Sequence, residues 1–461
     1  MSFGRHARGM LALGVPLAGS HLAHAAVGLT DTIMLGWYSV DTLAAGVLAT
    51  SFFFTLFVVG SGFSQAVMPM VASASSAGDP TQIRRVTRMG LWLSVLAAIA
   101  LMPAMWWSEP ILRLLGQDAE ISALAQTYLR IAGWGMFPAL LVMVLKSYLA
   151  AQERAQVIFW ITVLGGVGNA LANWVLIFGK WGFPELGITG AAIATLFNQC
   201  LMLAGLCFYA LRTLPEHALF QRFWRPDWDA FAAVYRLGWP IGLTQLAESG
   251  LFTGTALMMG WLGTLQLAAH GIAIQITSTT FMVHIGLSQA ATVRAGQAFG
   301  RSDVAGLLRG GRVASLLSLI MIGLTVTLFL TFPDALISLF LDPSETNRAA
   351  IIQVGVGLMA MSALFQLADG TQVMAMGLLR GVRDTRIPMI MAALSYWAFG
   401  MPAAYVLGFW TPLGGIGVWA GLVAGLFSAA ALLMHRFWLH REWLGRLPDG
   451  GTHQPTAVQP E

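Results

Sequence analysis

The sequence predicts an all-α integral membrane protein: twelve transmembrane helices in two six-helix lobes related by pseudo-two-fold symmetry. Three observations carry this. Of 461 residues, 57% are hydrophobic and only 10% charged, against about 25% charged in a soluble domain. Apolar runs long enough to cross a bilayer, at about 20 residues per span, recur twelve times along the chain. The second half of the chain also repeats the first.

The runs, bounded by Arg, Gly and Pro clusters, are 10–37, 43–76, 88–108, 121–150, 156–178, 186–212, 233–262, 266–297, 313–341, 349–378, 387–410 and 413–437. An even number of spans puts both termini on one side. Arginines choose the side, because cytoplasmic loops collect Lys and Arg. Arg5 and Arg8 precede the first span, Arg84, Arg85 and Arg88 follow the second, and Arg154 follows the fourth. Arg212, Arg222, Arg225 and Arg236 flank the central link, while Arg301, Arg309, Arg312, Arg380, Arg383 and Arg386 follow later even-numbered spans. Loops on the other side hold only Arg113, Lys180 and Arg348. Both termini are therefore expected in the cytoplasm. The net charge of +4 bears on topology and gives no reason to expect nucleic acid.

Sliding the chain by 224 residues pairs Pro16 with Pro240, Gly36 with Gly260, Trp37 with Trp261, Gly62 with Gly286 and Gln65 with Gln289. It also pairs Asp79 with Asp303, Arg85 with Arg309, Arg88 with Arg312 and Asp118 with Asp342. The offset then grows slightly, matching Leu186-Gly187 and Gly190 to Leu413-Gly414 and Gly417. Six helices per repeat means that the halves run in the same direction, about an axis along the membrane normal. The expected divisions are an N-lobe at 1–212, a cytoplasmic linker at 213–235, a C-lobe at 236–440 and a disordered cytoplasmic tail at 441–461. Arg5, Arg8, an apolar run and Ala23-His24-Ala25 imitate a signal peptide. The internal counterpart of that segment argues against one.

The chemistry gathers around buried carboxylates. Asp31 lies inside the first apolar run, where a charge costs roughly 2.5–3.5 kcal/mol on insertion scales. His24, Gly28 and Asp31 share a helix face by their spacing. Asn169 and Asn173 stand one turn apart on the fifth span, with Thr195 and Asn198 available on the sixth. A carboxylate with carboxamide and hydroxyl oxygens can hold Na+, with Asp31, Asn169 and Asn173 as its ligands, or can tune a proton site. Ordinary helix–helix hydrogen bonding, worth about 0.6 kcal/mol per contact, explains the asparagines equally well.

The second half offers Gln245, Glu248, Phe252 and Thr255 on one face of the seventh span, and Gln366, Asp369, Gln372 and Val373 on the tenth. No basic residue is expected at matching depth, which leaves protons, metal cations or a cationic cargo to neutralise these acids. His24, Gln245, Phe252, Thr255, His284 and Gln372 are candidate cavity-lining residues. His284, like His21 and His270, reads more simply as a packing histidine. Most of the 23 Met and 26 Phe are packing or lipid-facing residues, though some would give a cavity adaptable contacts. Cys200 and Cys207, seven apart, read as packing residues with no disulfide or metal spacing. No phosphate-binding loop or hydrolytic signature appears, so neither an ATP-driven pump nor an enzyme is expected and no cofactor is called for.

With these residues in view, the chain resembles the MATE (multidrug and toxic compound extrusion) transporters, and within them the NorM-like branch. The motifs that carry the resemblance are Gly28 through Gly36 (GLTDTIMLG), Ala268 through Ala273 (AAHGIA), Val293 through Gly300 (VRAGQAFG), and Asp369 followed by Gly377 through Thr385 (GLLRGVRDT). Together they span about residues 10–440. Gly271 departs from the glutamine common at that position, and Ala150-Ala151-Gln152-Glu153-Arg154 departs from a glycine- and proline-bearing segment.

The resemblance implies a V-shaped, two-lobe, monomeric antiporter of the cell inner membrane. It would expel organic cations and amphiphilic toxic compounds against inflowing Na+ or H+, with no cofactor beyond that coupling ion. It also implies an N-lobe cation site at Asp31, Asn169, Asn173 and Thr195, and a C-lobe acidic pair of Glu248 and Asp369. A lipid-linked precursor flippase of the same superfamily is the alternative; its cavity would be lined by basic residues to hold a pyrophosphate. A receptor or channel is the rival from another class.

Overall fold

Every regular element among the described residues (3–341, 343 and 347–447) is helical in this computed structural model. Ten helices are long and apolar enough to cross a membrane: α1 (Phe3–Tyr38), α2 (Val40–Ser76), α3 (Pro80–Trp106), α4 (Ala119–Ala151), α5 (Ala155–Phe178), α6 (Ile188–Thr213), α9 (Val304–Thr331), α10 (Arg348–Gly381), α11 (Arg386–Phe409) and α12 (Gly415–His440). Two more, α7 (Trp228–Leu262) and α8 (Thr264–Gly300), are as long but more polar. Gln245 and Glu248 in α7, and His270, Gln275, Thr277 to Thr280, His284 and Gln289 in α8, dilute their apolar character. The twelve expected spans therefore all correspond to helices, but two of them fall short of membrane-span hydropathy.

Several bounds differ from expectation. α7 starts at Trp228, because Asp227 accepts a hydrogen bond from the Ala230 N–H and opens the helix before the apolar run begins. α1 has 36 residues, about 54 Å at 1.5 Å per residue, so it extends well past a bilayer core of about 30 Å. The first residues of the expected disordered tail are folded: Glu442–Arg446 forms a 3-10 turn and Trp443 is fully buried against Phe437. Residues 448–461 and Asp342 lie outside the described residues.

The repeat is written into the backbone turns. Gly78 and Ser302, 224 apart, both adopt positive φ, with the same bond from their N–H to the carbonyl three residues earlier. Glu153 and Arg383 both sit near φ +60°, each followed by an N–H that reaches back five residues, Arg154 to Leu149 and Asp384 to Leu379. Gly187 and Gly414 match at φ 54°, ψ −126° and φ 53°, ψ −126°, a conformation that suits glycine. Acidic side chains also open two helices: Asp118 accepts from the Glu120 and Ile121 N–H groups at the start of α4, and Asp303 from that of Gly306 at the start of α9.

Contacts divide the chain into two compact units, neither of which is a sequence half. One holds Met1–Gly14, Pro69–Pro80 and Gly250–Glu461, the other Val15–Met68 and Thr81–Ser249. We refer to them as the C-rich and N-rich units. Each takes in the opening turns of the other half's leading helix through a small-residue crossing. In the N-rich unit, a Cβ at Gly238 of α7 would lie 2.8 Å from Phe63 of α2, and one at Gly62 would lie 2.4 Å from the Gly242 nitrogen. In the C-rich unit, a Cβ at Gly14 of α1 would lie 2.9 Å from Leu287 of α8. Gly14 and Leu287 are the 224-residue counterparts of Gly238 and Phe63. The same packing device thus appears twice.

α10 is the central helix of the C-rich unit and packs against α8, α9 and α12. In the N-rich unit, α6 packs against α4 and α5. The linker is fastened to the N-rich unit: Arg85 forms a bidentate pair with Asp227, Arg88 donates to the Arg222 carbonyl, Trp92 to the Phe223 carbonyl, and Tyr148 bonds His217. The guanidinium of Arg85 holds the Asp227 carboxyl below its ordinary range. Cys200 is exposed and Cys207 only half-buried, so neither is a core packing residue.

Candidate functional site

α1 meets α5 along a ladder that ends at Asp31. A Cβ at Gly19 would touch the Phe159 ring, Ser20 and Thr162 share a hydrogen bond at 3.0 Å, and a Cβ at Gly166 would touch Val27. One turn beyond Val27, the Asn169 and Asn173 carboxamides both donate to Oδ1 of Asp31 at 2.5 Å. The other polar groups of the GLTDT motif are spent locally, because Thr30 and Thr32 donate to the Ala26 and Gly28 carbonyls of their own helix. Asp31 is therefore the motif's outward-acting group.

The asparagines are almost fully buried, at 1% and 0% exposure, while Asp31 keeps partial access. The Oδ1 atoms of Asn169 and Asn173 have no hydrogen-bond partner, and neither does that of Asn198. Buried carboxamide oxygens normally find donors; these are available for a ligand. Gly28, one turn before Asp31, has open space at its Cβ position, and His24 is exposed.

The sixth-span candidates have separate neighbours. The Thr195 hydroxyl faces the Tyr128 hydroxyl of α4 at 3.3 Å. Asn198 stands over Gly165, whose Cβ would lie 2.7 Å from its Oδ1, one turn before Asn169. Tyr128 is within Coulombic reach of Asp31 and escaped the reading of the sequence. A tyrosine hydroxyl inside an apolar run needs a partner, and that was the available signal. Lys146, half-buried near the end of α4, is a basic residue of this unit that the reading of the sequence did not single out.

Among the second-half candidates, Gln245 and Glu248 belong to the N-rich unit, where Gln245 Oε1 accepts from Ser61 and Gln65 of α2, both at 3.1 Å. Asp369, Gln366, Gln372, Thr255, Phe252 and His284 belong to the C-rich unit. Asp369 is 1% exposed. Gln366 donates to the Thr277 carbonyl and the Thr280 hydroxyl, and Gln372 to the Tyr396 hydroxyl. Thr255 donates to the Leu251 carbonyl of its own helix, and His284 Nδ1 lies 3.4 Å from the Ser318 hydroxyl. Thr255, His284 and Gln372 are buried, at 0%, 0% and 2% exposure. Phe252, packed on Phe365, and His24 and Gln245 keep accessible surface. His270 is a packing histidine, accepting from the buried Trp419 indole at 3.0 Å. No three His, Cys, Asp or Glu side chains come together among the described residues, so the polar chemistry here is one carboxylate amid neutral groups.

A model of the MatE family matches residues 16–175 and 240–406, once in each half of the chain. The chain is 46% identical over 439 residues to a Rhizobium meliloti protein named probable multidrug resistance protein NorM, covering 95% of this chain and 94% of that one. It is 42% identical to a protein of the same name from Agrobacterium fabrum, covering 94% and 93%. The fold matches the crystal structure of a eukaryotic MATE transporter, AtDTX14, with TM-score 0.84 at 19% identity over 96% of this chain and 98% of that one. It also matches a multidrug resistance MATE family transporter of the MOP superfamily with TM-score 0.85 at 20% identity, covering 96% of each chain. These relatives and structural neighbours are transporters, not enzymes. A family model matched in both halves, near-full-length relatives above 40% identity and the Asp31–Asn169–Asn173 geometry agree: the chain is a multi-pass membrane protein of the MatE family.

Proposed function

We propose that the protein is a secondary multidrug antiporter that exports organic cations and amphiphilic toxic compounds in exchange for Na+ or H+. Asp31 is the coupling site. The observation that carries this is the pair of carboxamides on α5: their NH2 groups answer the Asp31 carboxylate while their oxygens stay without donors. An amide rotated by 180° occupies the same space with donor and acceptor exchanged. As they stand, Asn169 and Asn173 stabilise a bare carboxylate. Rotated, they present two oxygens beside it, a ligand set suited to a hard cation such as Na+. Protonation of Asp31 would remove the same negative charge.

Either event withdraws the charge that holds a cationic cargo at Asp31, so ion and cargo compete and their opposite fluxes couple. An alternation of two lobes at 1–212 and 236–440, joined by the linker 213–235, supplies access from each side. Thr195, through Tyr128, positions the edge of this site. Glu248 in the N-rich unit and Asp369 in the C-rich unit are the other deep acids, each a candidate to hold cargo within its own unit. The protein acts as a monomer in the cell inner membrane with both termini in the cytoplasm, as the arginine distribution supports.

The test is efflux of a fluorescent organic cation from proteoliposomes under a sodium gradient at fixed pH and, separately, under a pH gradient without sodium. Asp31→Asn abolishes transport under the driving gradient. Unchanged gradient-driven efflux in that variant overturns the proposal, and loss only in Asp369→Asn moves coupling to Asp369.

A further inference from the structure

The backbone of the linker is pinned to the ends of membrane-crossing helices. Arg88 donates to the Arg222 carbonyl at 3.0 Å, and Trp92, one turn further along α3, donates to the Phe223 carbonyl at 3.0 Å. Tyr148, in the last turn of α4, bonds His217 at 2.5 Å. Arg88 and Trp92 stand where the third apolar run begins. Residues 222 and 223 are therefore held at the level at which α3 enters the bilayer.

The pinned segment displays aromatic and basic side chains. Trp224 is 77% exposed and Trp228 67%, and Arg222 and Arg225 are exposed as well. A turn closed by the Arg225 N–H on the Arg222 carbonyl at 3.0 Å sets these arginines at the two ends of one bend, with Trp224 inside it in sequence. No ion pair among the described residues takes up either guanidinium. The neighbouring acids are occupied otherwise: Asp227 by Arg85, and Asp229 in the first turn of α7, where the helix N-terminus favours it. Phe223 packs toward Trp92 and Phe220, at centroid distances of 6.5 and 6.3 Å, so the protein side of the bend is already filled.

The segment that follows α12 uses the same residue types in the opposite way. There Trp443 is fully buried against Phe437, and Arg436 is held by Asp384 at 2.7 Å. Outward display is thus particular to the linker. Two large aromatic surfaces left open to water are unfavourable, whereas tryptophan is at home among lipid headgroups. We infer that residues 222–228 dock on anionic phospholipid of the cytoplasmic leaflet. Trp224 and Trp228 sit among the headgroups, and Arg222 and Arg225 take lipid phosphate, whose oxygens a planar guanidinium matches. The inference rests on the orientation proposed above only for which leaflet is meant, and it uses neither the coupling ion nor the cargo.

The test places an environment-sensitive fluorophore on Gln221→Cys, in full-length protein with Cys200→Ala and Cys207→Ala, reconstituted into phosphatidylcholine vesicles. The quenchers are phosphatidylglycerol or phosphatidylcholine carrying a nitroxide on the acyl chain next to the headgroup. Both quench this parent protein, and phosphatidylglycerol does so at a mole fraction about thirtyfold lower, two arginines at about fivefold each. Arg225→Gln cuts the preference to about fivefold, and adding Arg222→Gln removes it. Trp224→Ser weakens quenching by both lipids.

Equal quenching of the parent by the two lipids overturns the anionic site. No quenching by either shows that the segment faces water, which overturns docking on the bilayer. Loss of the preference in excess inorganic phosphate at constant ionic strength makes this a site for soluble anions and overturns lipid as the occupant. The measurement needs no gradient and reads the label in either vesicle orientation, so a failure of the export function leaves its outcome standing.

Discussion

The two compact units hold their polar groups in opposite ways. In the N-rich unit, Asp31 keeps partial access, its partners are two neutral amides with unanswered oxygens, and His24 on the same helix is exposed. In the C-rich unit, Asp369 is 1% exposed, Gln372 is tied to Tyr396, and His284 is sealed. The same contrast holds for the segments that fasten each unit's end. The N-rich unit uses Arg85 with Asp227, at 37% and 14% side-chain exposure; the C-rich unit uses Arg436 with Asp384, at 5% and 1%. A site that exchanges ligands needs groups whose partners can be replaced, whereas a sealed polar core rewards permanence. On these contacts the N-rich unit is built to exchange and the C-rich unit to hold.

The largest stability effect expected is therefore in the C-rich latch. Arg436→Ala leaves Asp384 buried without its guanidinium and lowers stability by about 3–5 kcal/mol, whereas Arg85→Ala costs within about 1 kcal/mol because that pair is solvated. Thermal unfolding of the two variants in detergent measures the difference, and equal losses would break the contrast. Next come the paired glycines. A Cβ at Gly417 would lie 2.1 Å from the Leu407 carbonyl oxygen, and one at Gly190 would lie 2.5 Å from that of Leu176. Gly417→Ala and Gly190→Ala each destabilise by about 1–3 kcal/mol through backbone overlap. If only one is sensitive, the repeat does not extend to packing at these crossings.

A smaller effect is expected at the amides. Asn173→Leu removes one donor and one prospective ligand, shifting the midpoint of ion-dependent dye release by about tenfold, with Gln372→Leu leaving that midpoint in place. Smallest is a pH effect on the linker. Because Arg85 depresses the Asp227 pKa below its ordinary 3.8, the pair contributes stability above that value and loses it as pH falls through the depressed folded value. Limited proteolysis of residues 213–227 should then increase only in strong acid, and Asp227→Asn should remove the dependence.

Much of the fold was legible because a membrane imposes it: apolar runs set the twelve helices, and glycines and aspartates at constant offset set the repeat. Burial along one helix is also legible, which is why Asp31, Asn169 and Asn173 could be named together. Spacing fixes a residue's face but not which neighbour that face meets. The Thr195 hydroxyl, for example, meets that of Tyr128, a partner on α4 that spacing along α6 does not announce. The compact units cut across the halves for a similar reason. Gly14, Gly62 and Gly238 are ordinary helical glycines until the partner helix is known. Thr255, His284 and Gln372 show the converse limit, since polar residues on one helical face line a cavity or bond to neighbours with equal ease.

The central claim is that one carboxylate, Asp31, is shared in turn by ion and cargo. Competition reads this most directly: a fluorescent organic cation bound to purified protein is titrated with sodium at fixed pH, and with acid in the absence of sodium. The account predicts that one of these releases the dye from the wild type, and that Asp31→Asn binds the dye more weakly and no longer responds to that ion. Release from Asp31→Asn at the wild-type midpoint would contradict it.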